Sequence, residues 1–333
     1  MTVRFAIVGC GAIADYLHAP AISAAAECTL LALVDSDLDR AKSVATKYPY
    51  ATIANSLAEV ADIVDVAVLA TPPHVRVSIV EQALSLGLHV LCEKPLANTV
   101  AECETIQRMT QRAGRIVAVC HQFRFWNNRR QIQQMLRNGD AAPQRVEVSQ
   151  GTVYSWKSAS GYTVRRELVP GGVLINAGTH PMDTLISWFG DPVKFEYKDD
   201  SCGGLESNVR MSMVFANGTV GNFRLSRTCN LKNEIRLYWH DHAISMTNND
   251  PFTYVVHRPD TDDEDIGCDP ANSGFLQPAI DLYNNLATAT RGRETTEVDA
   301  VEGTRVIQWV ESCYKQKRLR SLPELAPIPG LTW

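Results

Sequence analysis

Apolar residues recur along the chain in two different rhythms. Up to about residue 123, short β-branched runs ("RFAIVG", "TLLALVD", "IVDVAVLAT", "LHVLCE", "RIVAVCH") alternate with amphipathic stretches such as "VRVSIVEQALSLG" and "VAECETIQRMTQRAG". Runs of that kind suit strands buried on both faces, and the longer period between them suits helices. The pattern therefore predicts an α/β unit, a doubly wound parallel sheet with helices on both faces. From about residue 144 the rhythm becomes an alternation of apolar and polar positions ("PQRVEVSQGTV", "SNVRMSMVFANGTVGNFRLSRT", "EIRLYWHDHAISMT") broken by turns such as Asn217-Gly218. This predicts a large, mostly antiparallel open sheet in a second, α+β domain. The last third returns to helix: "AIDLYNNLATATRG" is amphipathic, and "VDAVEGTRVIQWVESCYKQKRL" opens with Asp299 and Glu302 at capping-box spacing. The expected division is 1–123 and 124–333, with the C-terminal helices free to pack back on the first domain.

One segment breaks the apolar pattern. Read as a helix, "GGVLINAGTHPMD" at 171–183 stacks Asn176, His180 and Asp183 at spacings of four and three, three polar side chains on one face of a buried-looking element.

Composition narrows the functional classes. At 333 residues, 45% hydrophobic and 21% charged, the chain has material for two cores and little for extended disorder. A formal charge of −5 with both signs interspersed offers no basic stripe for nucleic acid and no polybasic tail for anionic lipid. No signal segment is evident and no apolar run reaches the ~18 residues of a membrane span. A cytoplasmic protein with neither nucleic acid nor membrane as partner is expected. The nine cysteines are scattered, with no CxxC pair, which suits reduced thiols. The acidic run "DTDDEDIGCD" at 260–269 lacks the ligand alternation of a calcium loop and reads as a solvated loop. No metal site is expected; His240 and His242 alternate along a strand without carboxylates at fitting positions.

Chemistry first appears in "VRFAIVGCGAIADYLHAP", where Gly9, Gly11 and Ala14 form a G-x-G-x-x-A between a strand and a helix. The first glycine permits the tight turn, the second admits a pyrophosphate to the backbone, and the small third residue lets helix pack on strand. Asp35 closes the second strand, where a carboxylate accepts hydrogen bonds from both hydroxyls of an adenosine ribose and repels a 2′-phosphate; capping of the helix near Leu38 is a compatible second role. NAD is favoured over NADP. Thr71, Pro72, Pro73 and His74 ("LATPPHV") and then Glu93 and Lys94 ("LCEKPL") fall at the ends of the fourth and fifth strands, on the edge where open α/β sheets bind ligands.

Taken in order, "GCGAIA", "ATPPH", "EKPL" and "GGVLINAGTHPMD", with the "RF" of Arg124 and Phe125 after the sixth strand, resemble the blocks of the Gfo/Idh/MocA family of NAD(P)-dependent oxidoreductases over nearly the whole chain. The resemblance implies a Rossmann domain followed by a substrate and oligomerisation domain. It also implies hydride transfer between a nicotinamide and a secondary alcohol or ketone carbon of a sugar, cyclitol or related polyol. Lys94 matches the family's lysine that hydrogen-bonds the reacting oxygen, and His180 its histidine that acts as acid/base or relays the proton. Either group is chemically able to take the hydroxyl proton, so both roles stay open.

Asn176 stands where many members have aspartate; its amide can orient a hydroxyl but cannot hold negative charge. Asp183 is equally open to supporting His180 and to a purely structural role. The cofactor-binding set implied is Gly9, Cys10, Gly11, Ala12, Ile13, Ala14, Asp35, Arg40, Thr71, Pro72, His74, Glu93, Lys94 and Gln122. Cys10 is read as a small-residue requirement, not a nucleophile. The substrate set is Lys94, Arg124, Trp156, Tyr162, Arg165, Asn176, Thr179 and His180, with Arg166 and Glu167 in the same stretch.

Three functions fit: an NAD-dependent dehydrogenase of a sugar or cyclitol, a redox-neutral enzyme that uses its nicotinamide transiently to cleave or eliminate a glycosidic bond, and a non-catalytic nucleotide- and sugar-sensing regulator. Retention of both Lys94 and His180 favours an enzyme. The apolar look of "MSMVF" and "IRLYW" predicts that the free face of the second sheet is covered by another copy, giving a homodimer or homotetramer.

Overall fold

A computed structural model describes residues 2–138, 141–153, 160–267 and 275–316. The first sheet has six parallel strands in the order β3-β2-β1-β4-β5-β6: β1 Val3–Val8, β2 Cys28–Val34, β3 Thr52–Ala54, β4 Val66–Leu69, β5 His89–Cys92 and β6 Val117–Val119. Between them run α1 Ala19–Ala24, α2 Leu38–Ala45, α3 Arg76–Ser85 and α4 Val100–Ala113. Past Arg4, Thr29, Thr52 and His89 near their N-terminal ends, the strands are mainly apolar because both faces are covered. A capping box starts α4: the Thr99 hydroxyl accepts from the Glu102 N–H while the Glu102 carboxylate reaches back to the Thr99 N–H.

The second sheet has eight strands in the order β14-β13-β12-β11-β7-β10-β9-β8: β7 Arg145–Gly151, β8 Pro192–Asp199, β9 Asn208–Phe215, β10 Val220–Ser226, β11 Glu234–Tyr238, β12 Ala243–Thr247, β13 Thr253–His257 and β14 Glu264–Gly267. Every pair is antiparallel except β7 with β10, as the α/β plus mostly antiparallel reading expects. The Asn217-Gly218 turn joins β9 to β10, with Gly218 at φ 88°. The end of the acidic run is β14, an edge strand where a loop was expected; it pairs along Val256–Thr253.

Helices α5 Asn127–Arg137, α6 Thr179–Phe189 and α8 Ala300–Lys315 complete this half. Met211, Met213, Phe215, Ile235 and Leu237 pack inward against Met182, Leu185, Val306 and Trp309. The opposite face carries Arg210, Ser212, Asn222, Arg224 and Arg236, with Tyr238 beneath Arg145. The expected apolar outer face is therefore corrected: the apolar members of "MSMVF" and "IRLYW" are the inward half of the alternation, and the argument for a covering second copy loses its apolar basis. No helix among the described residues is long and apolar enough to cross a membrane.

Two C-terminal helices tie the halves together. Helix α7, Gln277–Thr290, puts Ala279, Leu282, Tyr283 and Leu286 into the core of Phe5, Ile7 and Leu17, on the first sheet. Helix α8 contributes Ile307 to the first unit and Trp309 and Val310 to the second. Asp299 caps α8 through the Val301 and Glu302 N–H groups, but the Glu302 carboxylate turns to Arg124 and Arg305, so the expected capping box is half formed.

Candidate active site

The carboxyl edge of the first sheet and the start of α6 enclose a cavity of about 990 Å³. On the first-domain side the wall begins with the glycine loop. Gly9 has φ 95°, and a Cβ there would stand 3.0 Å from the Ala70 backbone, so this turn needs glycine. Gly11 faces open space, with nothing within 4 Å of its would-be Cβ. That is a cradle a phosphate-sized group can enter and a side chain would fill. Gly9, Gly11, Ala12, Ile13, Asp35, Arg40, Thr71, Pro72, Glu93, Lys94 and Gln122 all line the cavity.

Asp35 keeps one face to the cavity while accepting from Cys10 N–H at 2.8 Å and Asp37 N–H at 2.9 Å. The cap of α2 is Asp37, not Asp35. Arg40 pairs with Asp37 at 3.1 Å. Cys10 and Ala14 lie behind the loop; burial first, then Asp35, pushes the Cys10 thiol up to about 12, so it stays protonated. His74 is exposed outside the cavity, 6.5 Å from the Tyr162 ring.

The second domain supplies the opposing wall. A π-helical turn, Leu174–Gly178, precedes α6. Asn176 and His180 line the cavity, whereas Asp183 turns away, fully buried. The three-residue face read from the sequence thus divides: the wider π-turn changes the angular step through this segment, and Asp183 takes a different partner. It receives Arg124 in bidentate fashion, at 3.0 and 2.8 Å, and Arg124 also reaches Glu302 at 2.9 Å. These carboxylates hold the Arg124 guanidinium charged against the burial that disfavours it.

Arg124 is therefore a strut behind the site and does not line the cavity. Thr179 is buried and Arg165 is exposed beside Glu167, so neither lines it; Arg166 and Glu167 are exposed as well. Tyr162 does line it. Trp156 lies outside the described residues.

Lys94 stands on the loop after β5, and its Nζ donates to the Asn176 carbonyl at 2.7 Å, bridging the two walls. Burial pulls the Lys94 ammonium down and the Glu93 carboxylate pulls it back up. Burial, then the charge of Lys94, pushes the His180 ring well below the usual imidazole range. Phe123 stacks on that ring at 4.3 Å, and His121 meets it edge-on at 6.0 Å. On Phe123 in turn sits Arg129, buried and pushed down to about 9 by desolvation.

Several contributors gave no signal in the sequence. Gln150 from β7, Ser160 and Thr163 line the substrate side, and Asn55 and Ser56 the other end. Arg76, fully buried, donates to the carbonyls of Thr71 and Glu93 and so ties two strand-end loops together. Among the described residues one cluster has metal-ligand atoms, His18, Glu93 and Cys120, within 4.8 Å of one another. A metal needs the thiolate, and burial together with Glu93 raises the Cys120 thiol well above its ordinary value; the Lys94 ammonium adds repulsion. The cluster is a hydrogen-bond hub.

Comparison with known proteins identifies the family. The model of the oxidoreductase family's NAD-binding Rossmann fold matches residues 3–121, and that of the same family's C-terminal alpha/beta domain matches 145–323. A D-glucoside 3-dehydrogenase of Escherichia coli is 29% identical over 57% of this chain and 55% of its own length, so the match spans little more than half of each. A UDP-N-acetylglucosamine 3-dehydrogenase of Acidithiobacillus ferrooxidans is 24% identical over 86% of this chain and 85% of its own. An inositol dehydrogenase homolog from Azotobacter vinelandii, solved with NAD+, superposes with TM-score 0.82 at 20% identity, covering 95% of each chain, which establishes the shared fold. The chain belongs to the Gfo/Idh/MocA family of NAD-binding oxidoreductases.

Proposed function

We propose that the protein interconverts a secondary alcohol and a ketone on a sugar, cyclitol or sugar derivative, with Lys94 as the acid/base and His180 as its neutral partner. The observation that carries this reading is that Lys94 meets His180 and Asn176 across one end of a cavity whose other end is the glycine loop and Asp35. Bound nicotinamide supplies the hydride chemistry, which no side chain can.

Two basic groups face one reacting oxygen, and burial disfavours charging both. Lysine is the stronger base at the outset, burial pushes His180 well below the usual imidazole range, and Glu93 pulls Lys94 back up, so the proton they share resides on Lys94. In the reducing direction the ammonium delivers it to the developing alkoxide; in the oxidising direction the neutral amine collects it. His180 orients the hydroxyl, stacked on Phe123. The Asn176 amide donates to one hydroxyl and accepts from another, and Tyr162 and Gln150 suit the C–H face and further hydroxyls of a polyol. Asp35, in contact with the cavity, accepts from ribose hydroxyls and repels a 2′-phosphate, so NAD is the preferred cofactor. The names of the relatives, a glucoside and a nucleotide-sugar dehydrogenase, support the substrate class.

The test follows reduced-nicotinamide absorbance against a panel of sugars, cyclitols and nucleotide sugars. Turnover with net NADH is expected, and Lys94→Ala lowers kcat by roughly 10²–10⁴-fold. Product without net NADH would replace this reading with the redox-neutral cleavage reaction. Binding without turnover would make the protein a sensor.

A further inference from the structure

Behind Lys94 a file of buried polar side chains runs from the cavity to helix α7. Tyr283 and His18 are 1% and 0% exposed. The Tyr283 hydroxyl is 2.7 Å from His18 Nδ1, and His18 Nε2 is 3.2 Å from Glu93 Oε1. The other Glu93 oxygen accepts from the Lys94 N–H at 2.9 Å, and the Cys120 thiol lies within 4.8 Å of the carboxylate. Burial raises Tyr283 well above its ordinary value, so its hydroxyl keeps the proton beside Nδ1. Nε2 is left at ion-pair distance from Glu93, without the alignment of a hydrogen bond. Phe5 holds the Tyr283 ring edge-on at 5.4 Å.

We propose that His18 and Tyr283 are positioning residues that hold Glu93 as a carboxylate against Lys94 and so set the pH at which Lys94 releases its proton. The proposal rests on the reading of Lys94 as the acid/base. Around Lys94, Glu93 from its own loop is the carboxylate that acts on it; Arg227 beyond β10 opposes protonation, the Cys120 thiol and the His121 ring follow β6, and the His180 ring faces it from α6. Around Glu93 stand His18, Cys120, Lys94 and Arg76. Burial would raise the Glu93 carboxyl, but the contact with His18 and the charges of His18, Lys94 and Arg76 bring it down to about 2. Without His18 the carboxylate protonates or turns aside, and either result takes the negative charge from Lys94. The use of a C-terminal helix to orient a first-domain loop also accounts for a tyrosine hydroxyl in the otherwise apolar core face of α7.

The experiment labels lysine Cε with ¹³C in the full-length protein and follows the titration of Lys94 by NMR, its signal identified by its loss in Lys94→Met. His18→Leu lowers the Lys94 midpoint by about one pH unit, the scale of losing one opposite charge at close range. Tyr283→Phe lowers it by less, and His18→Gln, which keeps an N–H toward Glu93, restores it. Should the leucine variant fail to fold, the other two decide. A midpoint unmoved in Tyr283→Phe and His18→Leu, or displaced equally in His18→Gln, overturns the proposal and leaves His18 and Tyr283 as packing. The pH profile of turnover separates the two readings. If its limb persists in Lys94→Ala, the assignment of Lys94 as acid/base fails. If it vanishes there while His18 variants leave it in place, only the positioning role fails.

Discussion

Replacing Glu206 with glutamine tests how the segment carrying Asn176 and His180 is held. Glu206 lies between β8 and β9 and is 2% exposed. Its carboxylate accepts from Gly172 N–H at 2.7 Å, Leu174 N–H at 3.0 Å and the Tyr314 phenol at 2.9 Å, and its carbonyl takes Val173 N–H at 2.9 Å. These are backbone donors at the start of the helical segment that no intrahelical carbonyl can serve, and the helix dipole favours a negative charge there. The approach is so close that a Cβ on Gly172 would stand 2.0 Å from the Glu206 carbonyl oxygen.

Glutamine retains one oxygen. Placed at Oε1 it serves Leu174 and Tyr314, and its NH₂ then opposes the Gly172 N–H. The loss is one charge-assisted bond, about 1.5–3 kcal/mol, and one buried donor left without an acceptor, about 1–3 kcal/mol. Relaxation recovers part of this, leaving about 3 kcal/mol. At roughly 2 °C per kcal/mol, Glu206→Gln lowers Tm by about 6 °C in calorimetry. Tyr314→Phe removes one of the three donors to the carboxylate, about 2 kcal/mol, and lowers Tm by about 4 °C. Misplacement of Asn176 and His180 costs kcat at least about tenfold, while NAD affinity, which depends on the first domain, holds. A Glu206→Gln destabilisation under ~1 kcal/mol, or one smaller than that of Tyr314→Phe, would refute the account of Glu206 as the anchor.

Gly11→Val leaves the stability of the cofactor-free protein within about 0.5 kcal/mol of wild type, because the space around its Cβ is open, yet abolishes the upward Tm shift that added NAD produces; retained stabilisation by NAD would show that the cradle is not the pyrophosphate site. Asp35→Ser shifts the ratio of NAD to NADP dissociation constants toward NADP by about tenfold in fluorescence titration, and an unchanged ratio would refute the ribose role. His180, His121 and His89 all titrate below 6.5 in the folded protein, mainly through burial. Below pH 6.5 the unfolded chain therefore binds protons that the folded one refuses, and stability falls as pH falls, each group contributing up to about 1.4 kcal/mol per pH unit. Urea unfolding between pH 7 and 5 reads this slope, and His180→Gln flattens it; an unaltered slope would mean that His180 takes up its proton freely in the fold.

The fold was legible where one element obeys one rhythm. Strands β1, β2, β4, β5 and β6 are apolar on both faces and β9 to β12 alternate, so each announces its kind of sheet. Strand β3 is three residues long, and β14 is the acidic run Glu264–Gly267, so neither carries a pattern. The outer face of the second sheet departs from expectation because parity divides "MSMVF" and "IRLYW": Met211, Met213, Ile235 and Leu237 go in, while Ser212 and Arg236 go out.

The site divides along a similar line. Backbone-governed features such as Gly9, Gly11 and Asp35 are local, and spacing alone brings them to the cavity edge. Lys94 and His180 needed the family resemblance to be paired, since 86 positions separate them. Arg124 and Asp183 looked like pocket residues because nothing in either stretch reveals that each is the other's partner. Arg76, Glu206, His18 and Tyr283 were invisible for the same reason, and they share a property. Each is a polar group buried in an apolar setting whose only justification is a partner elsewhere: two loop carbonyls for Arg76, the donors at 172 and 174 for Glu206, Glu93 and α7 for His18. Burying such a group unpaired costs several kcal/mol, so its presence in an apolar segment reports that a partner exists without identifying it. Asn176, His180 and Asp183 stand out as polar residues on an apolar helix by that same logic, and the side chains of the two that face the cavity take no hydrogen bond among the described residues. Polar residues that the fold satisfies hold the site in shape; those it leaves facing the cavity are the ones that await substrate.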